Sequence, residues 1–235
     1  MRLLAFETAT EACSVALLVD GEVRERFEVA PRRHAELALP WAEALLAEAG
    51  VARAQLDAIA VGRGPGAFTG VRLGIALAQG IALALDRPVV PVSTLAALAA
   101  PALRADPAHG VLAAIDARMG EVYAAAFRCD LQGLPEALGA ERVMPPEAVD
   151  PPGDGPWTGV GTGFAAAQGA LAARLAARLA RVDAAALPHA AETARLAARL
   201  YADGAGVAPE AAEPAYLRDQ VALTLAEQAA RRNQG

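Results

Sequence analysis

Residues Gly62–Gly74 read GRGPGAFTGVRLG, thirteen positions holding five glycines and one proline. They follow the apolar run Leu56–Val61 and open an apolar segment that reaches Leu85. That order predicts a strand, a tight glycine-rich turn and a helix beginning near Thr69. Glycine tolerates positive φ and lets backbones approach closely, and the first turn of a helix carries unpaired N–H groups suited to an anion. Two readings stand on these residues alone: an anion-binding loop, or a turn packed tightly against a neighbour. No spacing here gives G-x-G-x-x-G, and a Walker-type loop needs a Lys, whereas all 21 cations of the chain are Arg.

Working outward, Leu3–Phe6 is a short apolar run, and Cys13–Val19 and Glu22–Val29 flank Asp20-Gly21, a pair that favours a type I′ hairpin. Ala35–Ala49 places Leu37, Trp41, Ala44 and Leu45 on one side and stops at Gly50, a helical pattern. Downstream, Pro88–Val92 reads as a strand and Thr94–Leu103 as a helix. The second half then reopens with a similar theme. Ala113–Met119 (AAIDARM), like Leu4–Thr10 (LAFETAT), ends an apolar run in an acid before small residues turn the chain. A duplication hinged near residues 105–110 and an incidental likeness both fit so short a repeat. Strands are expected at Val122–Phe127 and Glu141–Met144, and Ala/Leu/Arg helices at Gly169–Arg181 and Glu192–Tyr201. Five prolines between Pro145 and Pro156 mark a linker or surface loop, and residues after Asn233 are expected to fray.

Composition narrows the chemistry. The 235 residues suffice for one large or two small domains. Hydrophobic residues make up 55%, but 63 are Ala and aromatics only 4%, so the core is expected to consist of closely packed Ala-rich helices. The net charge is −6, and both halves are negative, which opposes strong unaided binding of nucleic acid. Absence of Lys removes Schiff-base and pyridoxal chemistry. Cys13 and Cys129 form no C-x-x-C, His34, His109 and His189 have no metal-ligand spacing, and no Ser lies in a G-x-S-x-G elbow. The N-terminus meets an acid at Glu7 before any signal-length apolar stretch, and Leu73–Leu85 is shorter than a membrane span. The expectation is a soluble cytoplasmic protein with no cofactor, no metal site and no membrane association.

Glu7 and Asp116 fall at strand ends, where open α/β sheets place ligand groups. Such acids hold a magnesium ion through water or are simply solvated. Gly159–Gly163 (GVGTG) reads as a turn or a nucleotide contact. The helix Thr69–Leu85 is apolar on several faces, with Arg72 and Gln79 its only strongly polar residues. Gly70, Gly74, Ala78 and Ala82 recur every fourth residue as a smooth stripe. That stripe is expected at a seam with a second subunit, with Leu37, Trp41 and Leu45 of the preceding helix filling the groove beside it. Which face turns toward the sheet is left open by the pattern.

Phe6–Ala16 (FETATEACSVA), GRGPGAFTGVRLG, Val92–Leu95 (VSTL), Asp116–Tyr123 (DARMGEVY) and Pro214–Arg218 (PAYLR) occur in that order. Together they resemble the TsaB (YeaZ) family of the bacterial tRNA threonylcarbamoyladenosine machinery. The likeness runs from residue 3 to about 218, with G-R-G-P-G-x-F-T-G-x-R its most specific part, and departs at Glu7, where the family usually shows Asp. It implies an α/β, actin-like (Hsp70-like ATPase, ASKHA) fold of two duplicated βββαβα-type domains, residues 1–107 and 108–235, the last helix packing back on the first domain.

The resemblance also implies a non-catalytic dimerisation subunit. It would bind the paralogue TsaD as a heterodimer and work with the ATPase TsaE, reaching tRNA through the complex. That complex moves threonylcarbamoyl from its adenylate to the adenosine beside the anticodon of tRNAs reading ANN codons. The same helix pair would form a homodimer when TsaD is absent. Thr94 and Leu98 stand where TsaD carries an H-x-x-x-H metal pair. Glu7, Thr8, Gly64, Gly66, Thr69, Asp116 and Gly161 would make up a degenerate nucleotide or phosphate site. The alternative is an actin-fold enzyme in its own right, a small-molecule kinase or a peptidase acting on a partner. The first needs an intact adenosine pocket beside both strand-end acids, the second a nucleophile–base pair.

Overall fold

A computed structural model describes residues 1–218; the fraying expected after Asn233 lies outside them. Strands β1 (Arg2–Glu7), β2 (Ala12–Val19) and β3 (Glu22–Val29) form an antiparallel meander. Asp20 and Gly21 both take positive φ between β2 and β3, the conformation a type I′ turn demands. Helix α1 (His34–Ala49) leads to β4 (Ala58–Gly62), α2 (Phe68–Leu85), β5 (Val89–Val92) and α3 (Thr94–Ala105). β4 pairs parallel with β1, and β5 with β4, giving the order β3-β2-β1-β4-β5.

The second half repeats this plan. β6 (Gly110–Arg118), β7 (Glu121–Cys129) and β8 (Pro135–Ala137) form the meander, and β9 (Arg142–Met144) also pairs with β7. β10 (Trp157–Val160) and β11 (Leu179–Asp183) then add in parallel, giving β11-β10-β6-β7-β8. Seen from β1 and from β6, the two sheets have the same wiring: a meander on one side, two parallel strands on the other. This is the two-sheet, duplicated α/β architecture.

Strand alternation assigns each sheet face its partners. In the first sheet Leu4, Phe6, Val15 and Leu17 point one way, onto α1 and α2. Ala5, Ala16, Ala58 and Ala60 point the other way, onto Ala190, Ala194 and Ala197 of α5 (Ala190–Ala202). Alanine on both sides lets that helix approach closely. Helix α3 turns its leucines to the second sheet, where Leu95, Leu98 and Leu103 pack on Val111, Ala113 and Phe127. Thus the helix following each sheet packs on the other sheet, and α3 and α5 form a shared central layer. Trp157, Phe164, Leu171 and Leu175 fill the outer face of the second sheet.

Two expectations are corrected here. Gly169–Arg181 is not one helix: only α4 (Ala170–Arg174) is α-helical, and β11 begins at Leu179. Leu171 and Leu175 keep the helical spacing and are buried, after which Arg178 turns the chain by donating to Asp150 Oδ1 and the Pro151 carbonyl. Good helix formers then serve as an edge strand because β10 offers a ladder to pair with, a tertiary override of propensity. Of the two readings of the proline-rich stretch, linker or surface loop, the loop is the one found: it leads through a short 3-10 turn and buried Val149 into β10 of the same sheet.

The second correction concerns α2. Gly70, Gly74, Ala78 and Ala82 are all buried against the first sheet and so do not form an outward seam; Leu45 of α1 is buried as well. The small side chains let α2 lie close over β1 and β4. This is also the one helix among the described residues long and apolar enough to cross a membrane by length and composition, although one of its faces lies on the sheet.

Candidate functional site

The glycine loop is filled by the chain's own backbone. A Cβ at Gly66 would meet the Ala9 carbonyl oxygen at 2.3 Å, and one at Gly70 would meet the Thr8 carbonyl oxygen at 2.1 Å. Thr8 Oγ1 donates to the Gly70 carbonyl at 2.8 Å, and the Ala67 N–H donates to the Ala9 carbonyl at 2.7 Å. The β1–β2 turn therefore occupies the place an anion would take, and of the two readings of the motif the packed turn is the one realised.

Beneath it lies Glu7, 1% exposed. Its carboxylate accepts from the Ala9 N–H at 3.0 Å and from Thr94 Oγ1 at 3.1 Å. Burial pushes its pKa up to about 7, against the lowering effect of bonds from Ala9, Thr94, Thr8 and Thr193. Glu7 thus ties β1 to the start of α3 and to α5. Asp116, its counterpart, accepts from the Arg118 N–H at 2.7 Å and from Arg118 Nη1 at 3.0 Å. Gly161, at φ +105°, rests on β6, where a Cβ would stand 2.3 Å from the Ala114 carbonyl oxygen. The Cys13 thiol is buried and pushed up to about 11 by that burial and by Glu28, which makes it a poor nucleophile.

Of the seven residues expected at a nucleotide or phosphate site, Gly66, Thr69 and Asp116 line a cleft of about 960 Å³ between the two halves. Glu7, Thr8, Gly64 and Gly161 are outside its lining, each serving packing instead. The cleft walls carry a group that sequence spacing did not reveal: Arg32, Arg72, Arg118 and Arg218, contributed from four separate stretches. Arg72, Arg118 and Arg218 each fell within a motif singled out from the sequence, and Arg32 did not.

The other exposed feature is the outer face of α2. Ala76, Gly80, Leu83 and Ala84 face away from the sheet, with Leu73, Leu77 and Ile81 half-buried beside them. Leu83 is 73% exposed, and a Cβ at Gly80 would meet nothing within 4 Å. Leu37 and Trp41 of α1 are half-buried and pack against the same core as Leu77 and Ile81. The sequence contains two stripes of small side chains at four-residue spacing on one helix, 70/74/78/82 and 76/80/84. The signal that could have separated them is continuity of the first with the glycine loop, which must follow the sheet.

Comparison with known proteins bears on this arrangement. The family described as "TsaD: tRNA N6-adenosine threonylcarbamoyltransferase" matches residues 27–225. A solved structure of YeaZ from Pseudomonas aeruginosa superposes with a TM-score of 0.84 at 48% identity, covering 92% of this chain and 99% of that one. The chain belongs to the TsaB (YeaZ) family. Within that family, the Escherichia coli "tRNA threonylcarbamoyladenosine biosynthesis protein TsaB" is 50% identical over 63% of this chain and 64% of its own length. The Haemophilus influenzae protein of the same name is 52% identical over 52% of each. The aligned stretches thus span between half and two thirds of these curated relatives. Family membership accounts for the order of motifs from residue 3 to about 218 and for the duplicated sheets.

Proposed function

We propose that this chain is a non-catalytic subunit for tRNA threonylcarbamoyladenosine formation. It holds a TsaD-type transferase through the outer face of α2 and the adjoining edge of α1. The observation that carries the reading is the apolar, unpartnered surface of Ala76, Gly80, Leu83 and Ala84 flanked by Leu73 and Leu77. Small residues at Ala76, Gly80 and Ala84 permit a second helix to approach closely, while Leu37 and Trp41 supply bulk at the margin. Contiguous exposed apolar surface of this kind marks interaction sites on soluble domains. A TsaD partner forms the heterodimer, a second copy of this chain takes the same face when TsaD is absent, and a TsaE-type ATPase joins the assembly in the cytoplasm. Catalysis then belongs to the partner, which moves threonylcarbamoyl from its adenylate to the adenosine beside the anticodon of tRNAs reading ANN codons. Two features favour this division over an enzyme in its own right. Thr94 spends its hydroxyl on Glu7 and Leu98 lies in the core, so neither residue serves a metal. Both strand-end acids are engaged within the fold.

The test is a Leu83→Asp variant mixed with the cognate transferase and followed by size exclusion and calorimetry. A charge placed in an apolar seam costs several kcal/mol, so affinity is expected to fall by at least about a hundredfold, with thermal unfolding unchanged. Normal complex formation by the folded variant would remove α2 from the interface. Ala78→Arg is the control: Ala78 is 0% exposed, and this variant is expected to unfold the monomer.

A further inference from the structure

Three of the motifs read from the sequence meet where one segment crosses the cleft. Residues 212–218 form neither helix nor strand, and Pro214–Arg218 line the cleft between the two halves. Their first bonds are to the first half. Gln79 Nε2 donates to the Ala212 carbonyl at 3.2 Å, and the Ala215 N–H donates to the Arg63 carbonyl at 2.8 Å. Arg72 donates to the Tyr216 hydroxyl at 2.9 and 2.7 Å. Two residues later the bonds are to the second half. Arg218 Nη2 donates to the Ala117 carbonyl at 3.2 Å and to Glu121 Oε2 at 2.5 Å, and its Nη1 reaches Met119 Sδ at 3.5 Å. Those three residues surround the β6–β7 turn, where Arg118 and Met119 take φ of +63° and +57°, a conformation that favours Asn or Gly. A turn built from less suitable residues persists where its surroundings hold it, and Arg218 bonds to it on both sides.

A second tie runs beside the first. Arg63 Nη2 donates to Glu141 Oε2 at 3.0 Å, and Ser93 Oγ donates to the other oxygen of the same carboxylate. Arg63 and Ser93 belong to the first half and Glu141 to the second, and the Glu141 side chain is only 11% exposed. Arg63 therefore holds the crossing segment with its carbonyl and the second half with its guanidinium. We propose that residues 212–218 are a strap that, together with the Arg63–Glu141 pair, locks the two halves at one angle. The shared layer of α3 and α5 is the joint, and these ties pin the halves across the cleft. Charge-assisted bonds are the strong ones, and partly buried pairs are screened little by salt, so two such ties hold a joint that packing alone leaves free to turn. Pro214 fixes its own φ and so limits the slack in the strap. Releasing the ties lets the halves turn about α3 and α5 and widens the cleft.

The lock is tested on the isolated chain, so it stands or falls apart from the partner face. Spin labels are placed at Ala35→Cys, beside the cleft in the first half, and at Ala165→Cys, just after cleft-lining Thr162 in the second; both positions are exposed. Cys129→Ser leaves Cys13 as the one native thiol, and Cys13 is buried and unreactive. Double electron–electron resonance should give this labelled parent one narrow distance. Arg218→Ala and Glu141→Gln should each add a second, longer distance. Combined, they should raise the ratio of open to closed chains about tenfold over either single variant, the size of one charge-assisted bond at about 1.4 kcal/mol. Circular dichroism and parent-like amide protection of β1 confirm that each variant is folded. Should Arg218→Ala unfold, Glu121→Gln tests the same tie while the bond to the Ala117 carbonyl is kept. A folded double variant with the single parent distance, or a parent already spread over several distances, would overturn the lock. Faster amide exchange at residues 117–121 with the distance unchanged would also overturn it, since Arg218 would then brace one turn and nothing more.

Discussion

Replacing Glu7 by Gln should stabilise the protein in alkali, although Glu7 makes well-formed bonds. The carboxylate is buried, and desolvation is the largest influence on it, raising its pKa from 4.5 to about 7. A raised folded-state pKa means the native state holds the proton more tightly than the unfolded chain does. The stability linked to that proton is fully present below 4.5 and is lost as pH rises through about 7. At about 1.4 kcal/mol for each tenfold change in proton affinity, ionised Glu7 weakens the fold by on the order of 3 kcal/mol. Gln preserves the shape, keeps an oxygen for the Ala9 N–H and turns its amide N–H to Thr94 Oγ1, which then accepts, and it never ionises. For a chain of this size about 1 kcal/mol moves the melting temperature by about 2–4 °C. At about pH 8.5 the variant should therefore melt roughly 6–12 °C above the parent, and near pH 4.5 the two should nearly coincide. The assay is thermal unfolding by circular dichroism across the pH range, with the difference between the two proteins as the readout. Equal differences at both ends of the range would show that the Glu7 pKa is not raised by burial, and a variant less stable at every pH would show that the bonds outweigh desolvation.

Two α2 glycines should respond oppositely to alanine. Gly70→Ala drives a Cβ to 2.1 Å from the Thr8 carbonyl oxygen and should cost roughly 1–3 kcal/mol or more in chemical denaturation. Gly80→Ala enters open space and should stabilise the isolated chain by about 0.5–1 kcal/mol through helix propensity while weakening the heterodimer, as calorimetry would show. His189, raised above 6.5 chiefly by its bond to Glu25, clamps the start of α5 to β3; that stability is present below 6.5 and lost as pH rises through the folded pKa. His189→Ala should therefore lower the melting temperature more at pH 6 than at pH 9, and an equal loss at both would remove the charge from the account. Unaided, the chain should bind tRNA weakly and form no threonylcarbamoyladenosine when given tRNA, threonine, bicarbonate, ATP and the adenylate-forming enzyme. Submicromolar binding in a gel shift at physiological salt, or product above a blank, would contradict this.

Much of the fold was legible because its signals are local. The Asp20-Gly21 turn, the apolar strands on either side of it and the glycine loop each depend on a few adjacent residues. Their order, with the motifs of the second half, carried the family resemblance, and it was the resemblance that implied a duplicated α/β chain. What failed depended on partners distant in sequence. Residues 179–183 have helix-forming composition, and only the open edge of β10 makes them a strand. Which small-residue stripe of α2 faces inward was decided by Thr8, 62 residues from its hydrogen-bond partner Gly70.

The sequence by itself determined one chemistry the chain lacks, since the absence of Lys holds in any fold. It also determined the hairpin, the glycine turn and the family likeness, because each is written in contiguous residues. Only the tertiary structure decided that Glu7 is a buried tie rather than a ligand. Solvation at a strand end depends on what covers it, here Thr94 of α3 and Thr193 of α5. It alone decided the crossed placement of α3 and α5, each packed on the sheet that does not precede it. The gathering of Arg32, Arg72, Arg118 and Arg218 around one cleft was decided there too. Side chains separated by up to 186 positions share no periodicity, and only the closing of two sheets about a common helical layer makes them neighbours.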